Sequence, residues 1–340
     1  IAMRITPAML HKIARDTVEQ RKKHDHSLLA VYLTGSLFAG NPIFGGTADI
    51  DLFFIHDERV SPEREIQRLT DEIHLDIAHH GREDYSQART LRLHPWMGYN
   101  IINCTIMHDP QHFMDFTQAS VRGQFEQPEN ILGRVQGQAE HARQVWLSLH
   151  DQKGEPHLSQ VRQYLHAVGQ AANAVACLSG PPLTERRFLR SFPDRAAVVG
   201  RSGLYAGLLG LLGASQVEEG AFGSWLESWE KAYLALPADE APAHLHPDRF
   251  AYYRRAFDSL VNGDSPPDVL WPLLRTWLEA VSLLPGDSSQ FAEWQEAFST
   301  LGLLGPGYRE RVAALDAYLD SVEELLDEWG QRRGIERETL

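Results

Sequence analysis

The sequence predicts an α+β fold, with a mixed sheet and its helical cover in the N-terminal part followed by an all-helical C-terminal region. Two observations carry this. Over roughly the first 115 residues, short apolar runs rich in β-branched and aromatic residues alternate with helix-period segments, whereas beyond about residue 126 only long helical stretches remain. A length of 340 residues is enough for about two domains. The change in texture divides the chain into residues 1–120 and residues 121–340.

Thr6 is placed to cap a helix with Pro7 in its first turn, and Met9, Leu10, Ile13, Ala14 and Val18 recur at helical spacing to about Lys23. Leu28–Thr34 is a buried strand ended by Gly35, and residues 40–47, with three Gly and one Pro, form a loop. A second buried strand is expected over 50–55, a helix over 62–73, and a third strand over 75–79 that leads through Gly81 to a helix from about Ser86. Residues 102–110 read as a further short strand closed by Asp109-Pro110. In the C-terminal region helices are expected over 130–149, 158–178, 221–236, 247–261, 269–283, 289–301 and 308–329. Breaks such as Gly180-Pro181-Pro182, Pro266-Pro267 and Gly305-Pro306-Gly307 separate them. Residues 201–214, apolar and Gly-rich, are expected to form a tightly packed core helix, and the charged stretch 330–340 a frayed end.

Composition narrows the function classes. With 43% hydrophobic and 23% charged residues the chain is an ordinary globular one. A formal charge of −14 disfavours binding nucleic acid mainly by neutralising phosphates, and suits a small acceptor, a cationic one included, better. Only Cys104 and Cys177 occur, too few for a disulfide framework or a cysteine zinc site. No apolar run nears the roughly 20 residues of a membrane span, and the start lacks a signal-peptide layout. A cytoplasmic protein without a membrane role is the expectation.

The chemistry centres on Asp49 and Asp51 at the mouth of the apolar run Leu52-Phe53-Phe54-Ile55. In a strand, residues i and i+2 share a face and lie about 6.6 Å apart along the chain. Two carboxylates near an interior repel by about 4 kcal/mol at 4 Å and an effective dielectric of about 20, so without a cation the arrangement is costly. The plainer alternative has Asp49 capping a turn and Asp51 solvated at a strand edge. Three features weigh against it. Leu33-Thr34-Gly35-Ser36 places a sharp turn with free N–H groups and a hydroxyl, suited to a phosphate. Twelve residues separate Ser36 from Asp49, enough for the chain to return as a neighbouring strand. His74-Leu75-Asp76-Ile77 sets a third acid inside an apolar strand.

The pattern Leu33-Thr34-Gly35-Ser36 followed by Asp49-Ile50-Asp51-Leu52, with Asp76 on a later strand, resembles the nucleotidyltransferase superfamily that includes DNA polymerase beta. The segment from Cys104 to Pro110 is similar to the strand and Asp-Pro turn that close the domain in its minimal and antibiotic-modifying branches, with His108 where Tyr is commoner. The likeness spans about residues 25–115. It implies that Asp49 and Asp51 hold the metals that bind a triphosphate, that Asp76 holds the metal acting on the acceptor hydroxyl, and that Gly35 and Ser36 grip the β- and γ-phosphates. Two Mg²⁺ ions and ATP are the implied cofactor and substrate. Hard cations of this kind take carboxylate oxygens.

The acceptor is open: a small molecule such as an aminoglycoside-like antibiotic, an RNA or a protein, with an idle nucleotide-binding protein as the non-enzymatic alternative. Glu126, Glu129, Glu140 and Glu185 are candidate bases by position only, and none is assigned. The pairs His79-His80, His24 with His26 and His244 with His246 lack zinc spacing and read as surface or polar-core histidines. Arg186, Arg187, Arg190 and Arg195 read as solvated helix charges in preference to a basic strip.

Overall fold

The computed structural model describes residues 5–218, 220–237 and 239–335. The chain forms two compact units, one made of the chain up to Glu126 together with Pro242–Ala256, the other of Gln127–Ala241 and the chain from Phe257 on. Part of the charged C-terminal stretch expected to fray lies outside the described residues.

In the first unit, helix α1 (Pro7–Arg21) begins where Thr6 Oγ1 accepts a hydrogen bond from Met9 N at 3.3 Å, with Pro7 in the first turn and Leu10, Ala14 and Val18 buried. Strand β1 (Leu28–Thr34) is buried at all seven positions, as an unbroken apolar run demands of a strand covered on both faces. There follow the single turn α2 (Gly35–Phe38), the two-residue strand β2 (Ile43–Phe44) and the long strand β3 (Thr47–His56). Next come β4 (Arg64–Arg68), β5 (Ile73–Gly81), α3 (Ala88–Leu93), α4 (Pro95–Ile102), β6 (Thr105–His108) and α5 (Phe113–Phe125).

The strands order as β4-β5-β3-β1-β6, with β2 paired to β3. β3 and β5 run parallel and every other pairing is antiparallel. The predicted mixed sheet is present, and strand alternation gives it two apolar faces. Ile50, Leu52 and Phe54 join Val31, Leu33, Leu75 and Ile77 beneath α1. Ala30, Tyr32 and Ile55 join Tyr85, Leu91, Tyr99, Ile101, Met114, Val121 and Phe125, most of them on α3, α4 and α5.

The helix expected over 62–73 is absent. Arg64–Arg68 is instead an edge strand antiparallel to β5. Ile66, Leu69 and Ile73 have helical spacing, but Thr70 Oγ1 accepts from both Glu72 N and Ile73 N at 3.2 Å, and this side-chain turn competes with the helix and closes a hairpin. The charged flanks Arg64 and Arg68 suit a solvated edge.

In the second unit lie α6 (Pro128–His150), α7 (Leu158–Ala176), α8 (Phe188–Val198), α9 (Gly203–Leu211) and α10 (Ala221–Leu234). α11 (Phe250–Val261) starts in the first unit and ends in the second. α12 (Leu270–Val281), α13 (Ser289–Thr300) and α14 (Tyr308–Gln331) complete it. Its core is aromatic: Trp229, Trp271, Trp277 and Trp294 are fully buried, with Phe188 stacked on Trp271 at 3.9 Å. Arg143 of α6 bonds Asp316, Asp320 and Glu323, whose spacing puts all three on one face of α14. The stretch 201–214 departs from expectation: only Leu204, Leu208 and Leu211 of α9 are buried, so one stripe of that helix packs and the rest meets solvent. Arg186 is buried, so it is neither the solvated helix charge expected nor part of an exposed basic strip. No helix among the described residues is long and apolar enough to cross a membrane.

Leu52, fully buried at the centre of β3, tests the account of the sheet. Leu52→Ala should lower the unfolding free energy by about 2–5 kcal/mol in urea titrations, the range for a leucine cavity that cannot collapse. A loss below about 0.5 kcal/mol, the scale of a surface substitution, would contradict that burial.

Candidate metal centre

Register assembles the three aspartates. β3 lies between β1 and β5, and across it Asp51 is paired with Thr34 on one side and Asp76 on the other, while Asp49 is paired with His74. Laterally paired residues project from the same face, so Asp49, Asp51 and Asp76 share the face opposite Ile50 and Leu52. One carboxylate oxygen from each lies within 4.8 Å of the others. Asp49 and Asp76 are buried and Asp51 is half-buried.

Gly35 follows Thr34 and so stands beside Asp51. Its φ is +72°, and a Cβ there would come within 2.0 Å of Asp51 Oδ2. Glycine is required twice over, by the left-handed backbone and by the carboxylate packed against it. Ser36, half-buried, is the next residue of the turn.

Two guanidinium groups answer the negative charge. Arg64 of β4 donates from Nε to Asp76 Oδ1 at 2.6 Å and from Nη2 to Asp76 Oδ2 at 2.5 Å. Arg249 donates from Nη1 to Asp76 Oδ2 at 2.6 Å and from Nη2 to Asp49 Oδ2 at 2.5 Å. Both oxygens of Asp76 are therefore engaged, as is one of Asp49. Asp49 Oδ1 is buried with no hydrogen-bond partner, and among the described residues no donor reaches the Asp51 carboxylate. An orphaned buried oxygen costs about 1–3 kcal/mol. Two adjacent open carboxylates, one holding that orphan, are a fitting seat for a hard divalent cation.

Arg249 belongs to the 3-10 turn Pro247–Arg249 and is held firmly. His74 Nε2 donates to the Asp248 carbonyl at 2.9 Å, so the residue beside Asp49 in the sheet also anchors the turn. Arg255 donates to Glu72 at 3.0 Å. Gly45, at φ +58°, leaves the Arg255 carbonyl an approach that any Cβ would block at 2.5 Å. The Arg249 guanidinium rests over the Tyr252 ring at 4.4 Å.

The charges shift the acids in opposite directions. Burial, then the charges of Asp49 and Asp76, push the Asp51 carboxyl up to about 8. Burial works to raise Asp76 as well, but the hydrogen bonds from Arg64 and the charge of Arg249 hold it below the ordinary carboxylate range.

The structure brings Asp49, Asp51 and Asp76 together and sets Gly35 and Ser36 next to Asp51. Glu126 is exposed, and Glu129, Glu140 and Glu185 lie in the second unit. His79 shares the opposite sheet face with Phe54 and bonds His56 at 2.9 Å. Sequence reasoning missed Arg64, which it placed on a helix, and Arg249.

Among solved structures, the chain is similar to a nucleotidyltransferase-like protein from Exiguobacterium sibiricum 255-15, at 10% identity and a TM-score of 0.32, over 86% of this chain and 92% of that one. At that TM-score the likeness carries no argument about this chain. No family model and no curated protein matches it.

The Asp51 shift has a sign that can be checked. The unfolded chain releases this proton near 3.8 and the folded one near 8, so the stabilising contribution is present below about pH 4 and is lost as pH rises through about 8. Metal-free protein should melt at a lower temperature at pH 9 than at pH 6, and Asp51→Asn should remove that part of the decline. Parallel melting-temperature profiles for the two proteins would show that Asp51 is not the titrating group.

Proposed function

We propose that the chain is a metal-dependent nucleotidyltransferase that moves a nucleoside monophosphate, AMP from ATP, onto a hydroxyl of a small-molecule acceptor, with Mg²⁺ as the cation. The observation that carries this reading is the position of Asp51, flanked in the sheet by the Gly35 turn on one side and Asp76 on the other. The resemblance of this motif to the nucleotidyltransferase superfamily supports it.

In such a transfer the acceptor hydroxyl gives its proton to solvent as its oxygen attacks the α-phosphorus, the bond to the bridging oxygen breaks, and pyrophosphate leaves. A divalent ion supplies charge stabilisation for the phosphoryl oxygens. Asp49 Oδ1 and the Asp51 carboxylate would hold that ion. Gly35 presents no side chain between Asp51 and the turn, which keeps the carboxylate open toward the phosphates. Ser36 takes a β- or γ-phosphate oxygen with its hydroxyl. Arg64, its side chain 47% exposed, adds positive charge at the rim of an otherwise acidic protein. Aminoglycoside-like compounds head the acceptor classes, because an acidic protein attracts cationic acceptors.

A second reading has a specific observation behind it. Both oxygens of Asp76 are occupied by arginine, which suits a nucleotide-binding protein that does not turn over.

One screen separates the two: pyrophosphate release with each of the four nucleoside triphosphates, Mg²⁺ or Mn²⁺, and a panel of aminoglycosides, lincosamides and RNA. Release with ATP and a hydroxyl-bearing acceptor, reduced about 10²-fold or more in Asp51→Asn, is the expected outcome. Nucleotide binding without release in every arm would decide for the idle protein.

A further inference from the structure

We infer that Arg249 is a built-in cation of the carboxylate centre, so that the centre takes one divalent ion, at Asp49 and Asp51, instead of two. The inference rests on reading these carboxylates as a metal centre, and it concerns how many ions that centre admits.

The geometry divides the three acids into two sites. Asp76 meets an incoming cation with three of its roughly four lone-pair sites taken and two guanidinium charges already against it: Arg64 spans both of its oxygens, and Arg249 adds a second bond to Oδ2. Asp49 is divided, with Oδ2 on Arg249 and Oδ1 buried and unpartnered. Asp51 accepts from no donor among the described residues. The open oxygens are thus Asp49 Oδ1 and the pair on Asp51, a seat for a single ion. Arg249 stands where a second ion bridging Asp49 and Asp76 would have to sit, and a guanidinium cannot give up its charge by losing a proton.

Nor is Arg249 a loose surface side chain that a metal could push aside. It is 4% exposed, lies over Tyr252 at 4.4 Å, and belongs to a turn that His74 ties to the sheet at 2.9 Å. Moving it would strand a buried guanidinium and break two charge-assisted hydrogen bonds. The Asp76 side of the centre therefore carries permanent positive charge, whereas the Asp49–Asp51 side is loaded from solution.

Counting bound Mn²⁺ by electron paramagnetic resonance tests this, on the full chain alone and with one equivalent of a non-hydrolysable ATP analogue. The wild-type chain should bind one Mn²⁺ in both conditions, with the spectrum of an isolated ion. Asp51→Asn should weaken that binding at least tenfold. The double variant Arg64→Met, Arg249→Met, which frees Asp76, should bind two ions with a spin-coupled spectrum. Two coupled ions in the wild-type chain, no bound ion, or a folded double variant that still holds one would each overturn the inference. Should the double variant fail to fold, the wild-type count decides alone. Turnover with two ions per chain would sink this inference and leave the transferase reading standing. One ion per chain without pyrophosphate release from any pair would do the reverse.

Discussion

Like-charge repulsion among three aspartates, forced together by strand register, is the constraint around which the first unit is organised. Parallel pairing of β3 with β5 sets Asp51 against Asp76, and the period-two alternation of β3 adds Asp49 on the same face. The pairing cannot slip by one residue to relieve this, because Ile50, Leu52 and Phe54 would then leave the core beneath α1. The hydrophobic effect holds the acids in place, and some cation must answer them. Two guanidinium groups do so, leaving one negative charge of the three unanswered.

This explains features that look unrelated in isolation. β4 is a short edge strand, and its position lets Arg64 reach both oxygens of the neighbouring Asp76. His74 is buried in an apolar strand, a costly place for an imidazole unless it is bonded; its Nε2 proton goes to the Asp248 carbonyl and fixes the turn that carries Arg249. Gly45 accepts a left-handed φ so that the Arg255 carbonyl can approach. The last two concessions secure the segment Pro242–Ala256 to the sheet of its own unit.

The acids were legible in the sequence because they obey local rules. An apolar strand with charged residues two apart fixes their shared face, and the Gly35-Ser36 turn is written in adjacent residues. Asp76 was legible for the same reason, an acid inside an apolar run. The arginines were not. Arg64 sits in a stretch whose Ile66 and Leu69 have helical spacing, and the Thr70 turn that overrides it depends on one hydroxyl. Arg249 lies 200 positions from Asp49, in a segment whose own pattern is that of a helix start. Nothing local records that it returns to the sheet. Long-range ion pairs leave no periodicity, and they are the part of this centre that a sequence hides.

Two fixed arginines also change what the centre is before any ion arrives. Arg249 bonds Asp49 and Asp76 and Arg64 bonds Asp76, whereas no arginine bonds Asp51, whose carboxyl is pushed up to about 8 by burial and its two acidic neighbours. Burial and the neighbouring acids thus favour a proton on Asp51 while no ion is bound, which lessens the repulsion within the cluster. A metal centre built from three acids alone would carry several unbalanced charges until loaded, and its fold would depend on the ion. Here the arginines carry the structural share of the positive charge. A cation taken up here would exchange for the proton of Asp51, beside the Gly35 turn.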